Sequence, residues 1–482
     1  MTAIVLPSPD RRLLAGRDDI VAGLAGIVGG RHVIASAEER RAYETDGFSC
    51  YHAVPLAVVL PATTEEVAAV LQYLAERKIK VVARGAGTSL SGGAIPTEDA
   101  VVVGLARMNR ILAIDYENRT ARVEAGVTNI NITNAVAPRG FFYAPDPSSQ
   151  LACTIAGNIA MNSGGAHCLK YGVTTNNVLA VRLVLIDGTV VDLGGDALDA
   201  PGYDLLGLVV GSEGQLGIVT EATVRILRAA EGARPMLMGF DSAEAAGGCV
   251  AAIIASGIIP VAMEYMDRPA IRACEAFAHA GYPLDVEAML IIEVEGSRAE
   301  IEDLLARITA IADRFQPRVI RVSKSEAETA AIWKGRKAAF GAVGQIAEAY
   351  FCMDGVIPTG RLPEVLTTVA DICARHHVRV ANVFHAGDGN LHPLIMYDPN
   401  NPAEFAAAEE AGADILKLCV AVGGCLTGEH GVGMEKRDLM PYQFSAQDLA
   451  LQMAVKSALD PDWLLNPAKV FPLEGRPVAA GA

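Results

Sequence analysis

The chain is expected to fold as an α+β protein with more than one domain, and three observations carry that expectation. Strand-like and helix-like runs alternate over 482 residues, too many for one compact core. Apolar residues make up 51% of the chain but aromatics only 5%, so the cores are expected to be built from Ala, Val, Ile and Leu. The 47 glycines include three clusters mixed with hydroxyl side chains, which marks loops with close backbone approach. The formal net charge of −16 argues against nucleic acid and against direct binding to anionic lipid.

Residues 1–55 read as a short helical entry. Pro61 and Ala62 then lead into an amphipathic helix, with Thr63 and Glu66 at capping-box spacing and Val67, Val70, Leu71 and Leu74 on one face. Residues 80–84, 101–105, 120–124 and 178–186 read as strands, the last meeting the hairpin signal Asp187-Gly188. These belong to an expected domain at 56–231. From 232 to 434 the rhythm changes. Strands are expected at 236–240, 261–266, 288–294 and 318–322, with helices between them, such as 298–314 with Ile301, Leu304, Leu305, Ile308 and Ile311 on one side. Residues 435–482 read as helical and then Pro-rich.

The nine cysteines include no C-x-x-C pair, which fits reduced thiols in the cytoplasm and argues against an iron–sulfur cluster in this chain. Ile4, Val5 and Leu6 before Pro7 are too few for a signal-peptide core. Residues 245–263 lack charge for a membrane-like length. Gly257 and Pro260 interrupt them, so a buried helix, a turn and a strand are expected.

The three glycine-rich segments are RGAGTSL at 84–90, TIAGNIAMNSGG at 154–165 (preceded by PSS at 147–149), and GSEGQLGIV at 211–219. Successive backbone N–H groups in such loops form nests for phosphate oxygens, and Ser and Thr add donors. Plain tight turns would explain any one segment. Three together favour a diphosphate-bearing cofactor cradled by loops. A Rossmann site is not expected, because no helix opens after Gly85 and Gly87.

The segment HAGDGNLH at 385–392 reads as a strand, a glycine turn and a returning strand. His385 and His392 can converge across that turn, and Glu429 adds a carboxylate. The combination His, His, Glu suits a divalent metal with an open position. The adjacent His430 is a candidate general base. Spacing alone leaves structural or surface histidines as the other reading. HEXXH is absent, so a metalloprotease is not expected.

With these segments in hand, the chain resembles the FAD-dependent D-2-hydroxy acid dehydrogenases, a family that includes the FAD-linked subunit of bacterial glycolate oxidase and D-lactate and D-2-hydroxyglutarate enzymes. The matching stretches run from YETD at 43–46 to NPAK at 466–469, with VARGAGTSL at 82–90, AMEYMD at 262–267, WKGRK at 333–337, CMDG at 352–355 and GEHGVG at 428–433 among them. The resemblance implies a vanillyl-alcohol-oxidase type fold: an FAD domain of two subdomains, a ferredoxin-like cap and a C-terminal segment returning to the flavin. It implies that Arg84, Gly85, Gly87, Thr88, Ser89 and Leu90 surround the pyrophosphate. Pro147, Ser148, Thr154, Gly157, Asn158, Ser163 and Gly164 would line the flavin ring and its linker. Glu213, Gly217, Ile218 and Val219 would hold the adenosine half. His385, His392 and Glu429 would bind zinc or manganese, with His430 as base. Arg336 would pair with the substrate carboxylate, a task that its planar fork suits. Without the resemblance, Arg336 and Lys337 read as a solvated helix face. No histidine lies in the loop 84–93, so FAD is expected to be non-covalent.

The expected reaction is oxidation of a small D-2-hydroxy acid by hydride transfer to flavin N5, with glycolate first and D-lactate next. A dicarboxylate such as D-2-hydroxyglutarate is the alternative. A non-catalytic flavin- or metal-binding subunit of a complex is the remote one. Expected partners, by the same resemblance, are a second FAD-domain subunit and an iron–sulfur subunit, with a quinone or electron-transfer protein as acceptor. Any membrane association would be peripheral, through those partners.

Overall fold

In the computed structural model, which describes residues 4–196 and 202–473, the chain divides into two units. One comprises residues 4–164, 172–228 and those from Glu429 onward. The other comprises Gly165–Tyr171 and Ala229–Gly428. The outer parts of the expected terminal segments, residues 1–3 and 474–482, lie outside the described residues, as do 197–201.

The first unit holds two sheets. Strands β1 (Val33–Ile34), β2 (Ala57–Val59), β3 (Lys80–Arg84) and β4 (Ala100–Gly104) are ordered β1-β2-β4-β3, parallel except for β1. β2 and β4 are wholly buried, in keeping with their unbroken apolar runs. Strands β5 (Ile111–Asp115), β6 (Thr120–Glu124), β8 (Val178–Val184), β9 (Val190–Gly194) and β10 (Ile218–Arg225) form an antiparallel sheet ordered β5-β6-β10-β8-β9. The short strands β7 (Phe141–Phe142) and β11 (Leu227–Arg228) pair with each other. The Asp187-Gly188 hairpin forms as the sequence predicts: Gly188 takes φ +85° and its N–H donates to Leu185 O.

The expected capping box on the helix Thr64–Glu76 is only half made. The Thr63 hydroxyl accepts the Glu66 N–H, but the Glu66 carboxylate reaches back to Ala62 N–H, at 2.6 Å. The N-terminal stretch is not purely helical either, since β1 pairs with β2 as an edge strand. Near the C-terminus, Val81 donates to Leu464 O and accepts from Asn466 N–H, so the terminal segment continues the first sheet beyond β3. Lys456, buried in this unit, donates to Asp460 and to the carbonyls of Gln215 and Leu465, which fixes that return.

The second unit is a seven-stranded antiparallel sheet with helices packed on it. Its strands are β12 (Gly232–Phe240), β13 (Ala262–Asp267), β14 (Ala288–Gly296), β15 (Val319–Val322), β16 (Ala349–Cys352), β17 (Arg379–His385) and β18 (Pro393–Tyr397). They are ordered β15-β12-β14-β13-β17-β18-β16. The uncharged stretch 245–263 resolves into the helix Ala243–Ala255, a turn at Gly257 with φ +81°, and the start of β13. No helix among the described residues is long and apolar enough to cross a membrane. The strands β12, β13 and β14 are buried along most of their length, with Met236, Met238, Ala262, Met266, Leu290 and Ile292 fully or almost fully enclosed. Burying each of these Met, Leu and Ile side chains stabilises the fold by about 1.5–3 kcal/mol.

Candidate active site and cofactor cradle

In the second unit, the strand–turn–strand of 385–392 forms as expected. β17 and β18 pair antiparallel, and Gly389 turns the chain at φ +76°. The His385 and His392 rings come together edge to face, 5.1 Å between centroids. A Cβ at Gly389 would fall 2.1 Å from Ile357 O, so only glycine fits. Gly389→Ala is therefore expected to lower stability by about 1–3 kcal/mol, seen as a drop in the urea unfolding midpoint. An unchanged midpoint would mean that the turn is not tightly held.

Two carboxylates brace these histidines. His385 Nδ1 lies 2.7 Å from Glu264 Oε1, and His392 Nε2 lies 3.1 Å from Asn390 Oδ1 and 3.6 Å from Asp354 Oδ1. Asp354 also accepts from Asn390 Nδ2, the Thr427 hydroxyl and Gly428 N–H, so it pins the chain just before Glu429. Arg336, on the helix Glu326–Lys337, is buried rather than solvated: its Nε and Nη2 both donate to Glu264 Oε2, at 2.7 and 2.6 Å. This alters the expected use of its fork, since Nε and Nη2 are already spent on an internal carboxylate. Burial alone would raise the Glu264 carboxyl. The charges of Arg336 and His385 more than offset that and hold it at about 2.

In the first unit, the segment after Gly428 is held from its backbone. Ser91 Oγ donates to His430 O, and Ser91 O accepts from Met434 N–H and Glu435 N–H. Glu213, fully buried, accepts Val432 N–H and Gly433 N–H on its two oxygens. Burial raises the Glu213 carboxyl despite those bonds. Glu213 thus clamps the backbone beyond His430, a partnership that the glycine-rich motif around it did not announce. His430 and Glu429 are both mostly buried, with His430 Nε2 3.9 Å from Glu429 Oε1.

The three glycine-rich segments all lie in this unit, apart from Gly165. Arg84 ends β3, and its Nη1 donates to Thr45 O. Gly85 faces Thr154: a Cβ there would lie 2.2 Å from Thr154 Oγ1. Gly87 takes φ +72° beside the Arg84 guanidinium. The Ser89 hydroxyl braces its own loop by accepting Gly93 N–H, while Thr88 and Leu90 are half-buried. Pro147 is buried and Ser148 exposed. Asn158, buried, accepts from Asn129 Nδ2, Gly157 sits in the helix Ile155–Met161, Ser163 O accepts from Thr174, and Gly164 is buried. Gly217 lets the chain approach β8, since a Cβ would meet Leu183, and Ile218 and Val219 begin β10.

The cradle suits a polar cofactor. Thr154 Oγ1 is buried with no hydrogen-bond partner among the described residues, opposite a position where only glycine fits. An unsatisfied buried hydroxyl costs about 1–3 kcal/mol, so a ligand oxygen or nitrogen is the natural partner. His167 belongs to the other unit, tilted against Trp333 and 3.7 Å from Glu293.

Comparison with known proteins decides the family. Residues 55–194 match the FAD binding domain and residues 230–470 the FAD linked oxidases C-terminal domain. The glycolate oxidase subunit GlcD of Escherichia coli strain K12 is 49% identical over 97% of this chain and 93% of its own. The chain belongs to the FAD-linked oxidases, alongside GlcD. GlcD of Bacillus subtilis is 36% identical over 95% of the chain and 98% of its own, and a D-lactate dehydrogenase of Anaerostipes hadrus 32% identical over 91% and 94%. Among solved structures, 4-ethylphenol oxidase from Gulosibacter chungangensis aligns with a TM-score of 0.80 at 18% identity, covering 98% of this chain and all of its own. The p-cresol methylhydroxylase with substrate bound reaches the same TM-score at 16% identity and the same coverage. The fold of this FAD-linked oxidase is therefore the vanillyl-alcohol-oxidase type, as expected from the sequence. FAD is the cofactor of its first domain.

Two groups in this FAD-linked oxidase escaped the sequence reading. Glu264 lies in AMEYMD, a stretch singled out without a role, where its fully buried carboxylate interrupts an apolar strand. Asp354 lies in CMDG, in a buried stretch just past the end of β16. A charge inside an otherwise apolar, buried stretch was the available signal.

Proposed function

We propose that this protein oxidises a small D-2-hydroxy acid, glycolate before D-lactate, to the 2-oxo acid. The observation that carries the reading is the near full-length likeness to two glycolate oxidase GlcD subunits, at 49% and 36% identity. Bound FAD would supply the two-electron acceptor for the hydride of the substrate α-carbon. A divalent ion held by His385, His392 and Glu429, zinc or manganese, would polarise the substrate hydroxyl. His430 accepts the hydroxyl proton as general base. Arg336 pairs with the substrate carboxylate through its Nη1 side and fixes which face of the α-carbon is presented.

The surroundings of Arg336 favour a monocarboxylate. Lys337 beside it is exposed while Arg336 is buried. The following helix Ala339–Val343 carries no cation, and its Phe340 packs on Tyr350, 6.2 Å between ring centroids. A steady-state panel of glycolate, D-lactate and D-2-hydroxyglutarate tests this: glycolate is expected to give the highest kcat/KM, and faster turnover of the dicarboxylate would overturn it. Chelator treatment is expected to slow turnover, and added zinc or manganese to restore it. By analogy with the subunit status of GlcD, electrons leave through a second FAD-domain subunit and an iron–sulfur subunit towards a quinone or electron-transfer protein.

A further inference from the structure

We infer that Glu264 is a positioning residue that sets both halves of the substrate site from one carboxylate, fixing the ring of His385 on one oxygen and the plane of Arg336 on the other. The inference rests on the proposed reading of His385 as an ion ligand and Arg336 as the substrate anchor.

The sheet register makes the first contact. Glu264 on β13 stands directly opposite His385 on β17, and opposed residues of antiparallel strands share a face. The carboxylate is wholly buried, and both its oxygens are occupied: Oε1 by His385 Nδ1, Oε2 by Arg336 Nε and Nη2. An ionised carboxylate only accepts hydrogen bonds, so His385 must carry its proton on Nδ1. In the neutral form that an imidazole needs to bind a cation, the ring then presents its lone pair on Nε2. The same carboxylate holds the guanidinium so that its Nη1 side is turned away from β13.

The helix that carries Arg336 is docked by other contacts as well. Trp333 Nε1, three residues earlier on the same face, donates to Glu293 Oε1 at 2.8 Å, and the Tyr282 hydroxyl donates to Ile332 O. Glu264 is therefore not needed to seat the helix. What it adds is the orientation of two functional side chains that come from elements 72 and 121 residues away.

Glu264→Gln separates this role from mere packing, because it keeps the shape and changes the hydrogen-bond logic. The glutamine oxygen stays with Arg336, a pure donor, which leaves the amide N–H groups facing His385 Nδ1. That nitrogen must then accept, and the ring proton moves to Nε2. The full-length, FAD-loaded protein is stripped with chelator and titrated with zinc or manganese alone. Glu264→Gln is expected to bind the ion about 10–100-fold more weakly than wild type and to raise KM for glycolate, with its flavin spectrum unchanged; its melting temperature is expected to fall, because the amide no longer offsets the buried Arg336 charge. Unchanged ion affinity would overturn the inference. Wild-type protein that oxidises glycolate without any affinity for zinc or manganese would instead overturn the ion reading beneath it. If Glu264→Gln does not fold, nitrogen NMR of chelator-stripped wild type at alkaline pH, with histidine labelled and His385→Asn as the assignment control, reads the tautomer directly. A proton on Nδ1 is the expected result, and one on Nε2 overturns the inference.

Discussion

Replacing His430 by alanine abolishes reduction of the flavin by glycolate while FAD stays bound. A general base contributes about 10²–10⁴-fold to the rate, so rapid-mixing traces should slow by at least the lower figure. FAD retention is expected because the backbone at 430–435 is held by Ser91 and Glu213, contacts that the substitution leaves in place. The loss should appear in kcat and kcat/KM together, the signature of a group that acts in the transition state. A variant with wild-type kcat would remove His430 from the chemistry and leave the proton acceptor unassigned.

Arg336→Met is expected to damage both stability and turnover, for one physical reason. Arg336 neutralises Glu264 in a wholly buried setting, and removing one partner of such a pair costs about 3–5 kcal/mol. The urea midpoint of unfolding should fall accordingly. The substrate carboxylate also loses its counter-charge, so kcat/KM should drop by about 10²–10³-fold, corresponding to about 3–4 kcal/mol of lost binding in the transition state. Arg336→Lys restores the charge without the planar fork, and it is expected to recover part of the stability but little of the activity. Acid should have little effect on this pair in wild type. The Glu264 carboxyl is depressed from 4.5 to about 2, so its stabilising contribution is complete above the unfolded value and is lost only as pH falls through about 2.

The sequence revealed features whose causes are local. The turn at 385–392 was legible because glycine at positive φ has a chemical signature, and so was the hairpin at Asp187-Gly188. Strand and helix positions in the second unit follow from apolar periodicity, which reports burial residue by residue. The roles of Glu264 and Glu213 were not legible. Glu264 meets partners 72 and 121 residues away, through a strand register that no local pattern encodes. Glu213 sits in a glycine-rich motif that reads as a cofactor loop, yet its carboxylate bonds backbone 219 and 220 residues later. The short strand β1 was missed because two residues give no periodicity, and it exists only by pairing with β2. Arg336 shows the limit from the other side. Its last helical turn carries Lys334, Arg336 and Lys337, which reads as a solvated face, and only the buried carboxylate on β13 explains why Arg336 points inward.

The central claim is that a 2-hydroxy acid delivers its electrons to FAD in this chain. The most direct measurement is the visible spectrum of the purified protein under anaerobic conditions before and after glycolate is added. Flavin bands that bleach with glycolate, more slowly with D-lactate, and that return when an electron acceptor is supplied are the predicted result. A colourless protein, or a yellow one that glycolate, D-lactate and D-2-hydroxyglutarate all fail to bleach, would contradict the account.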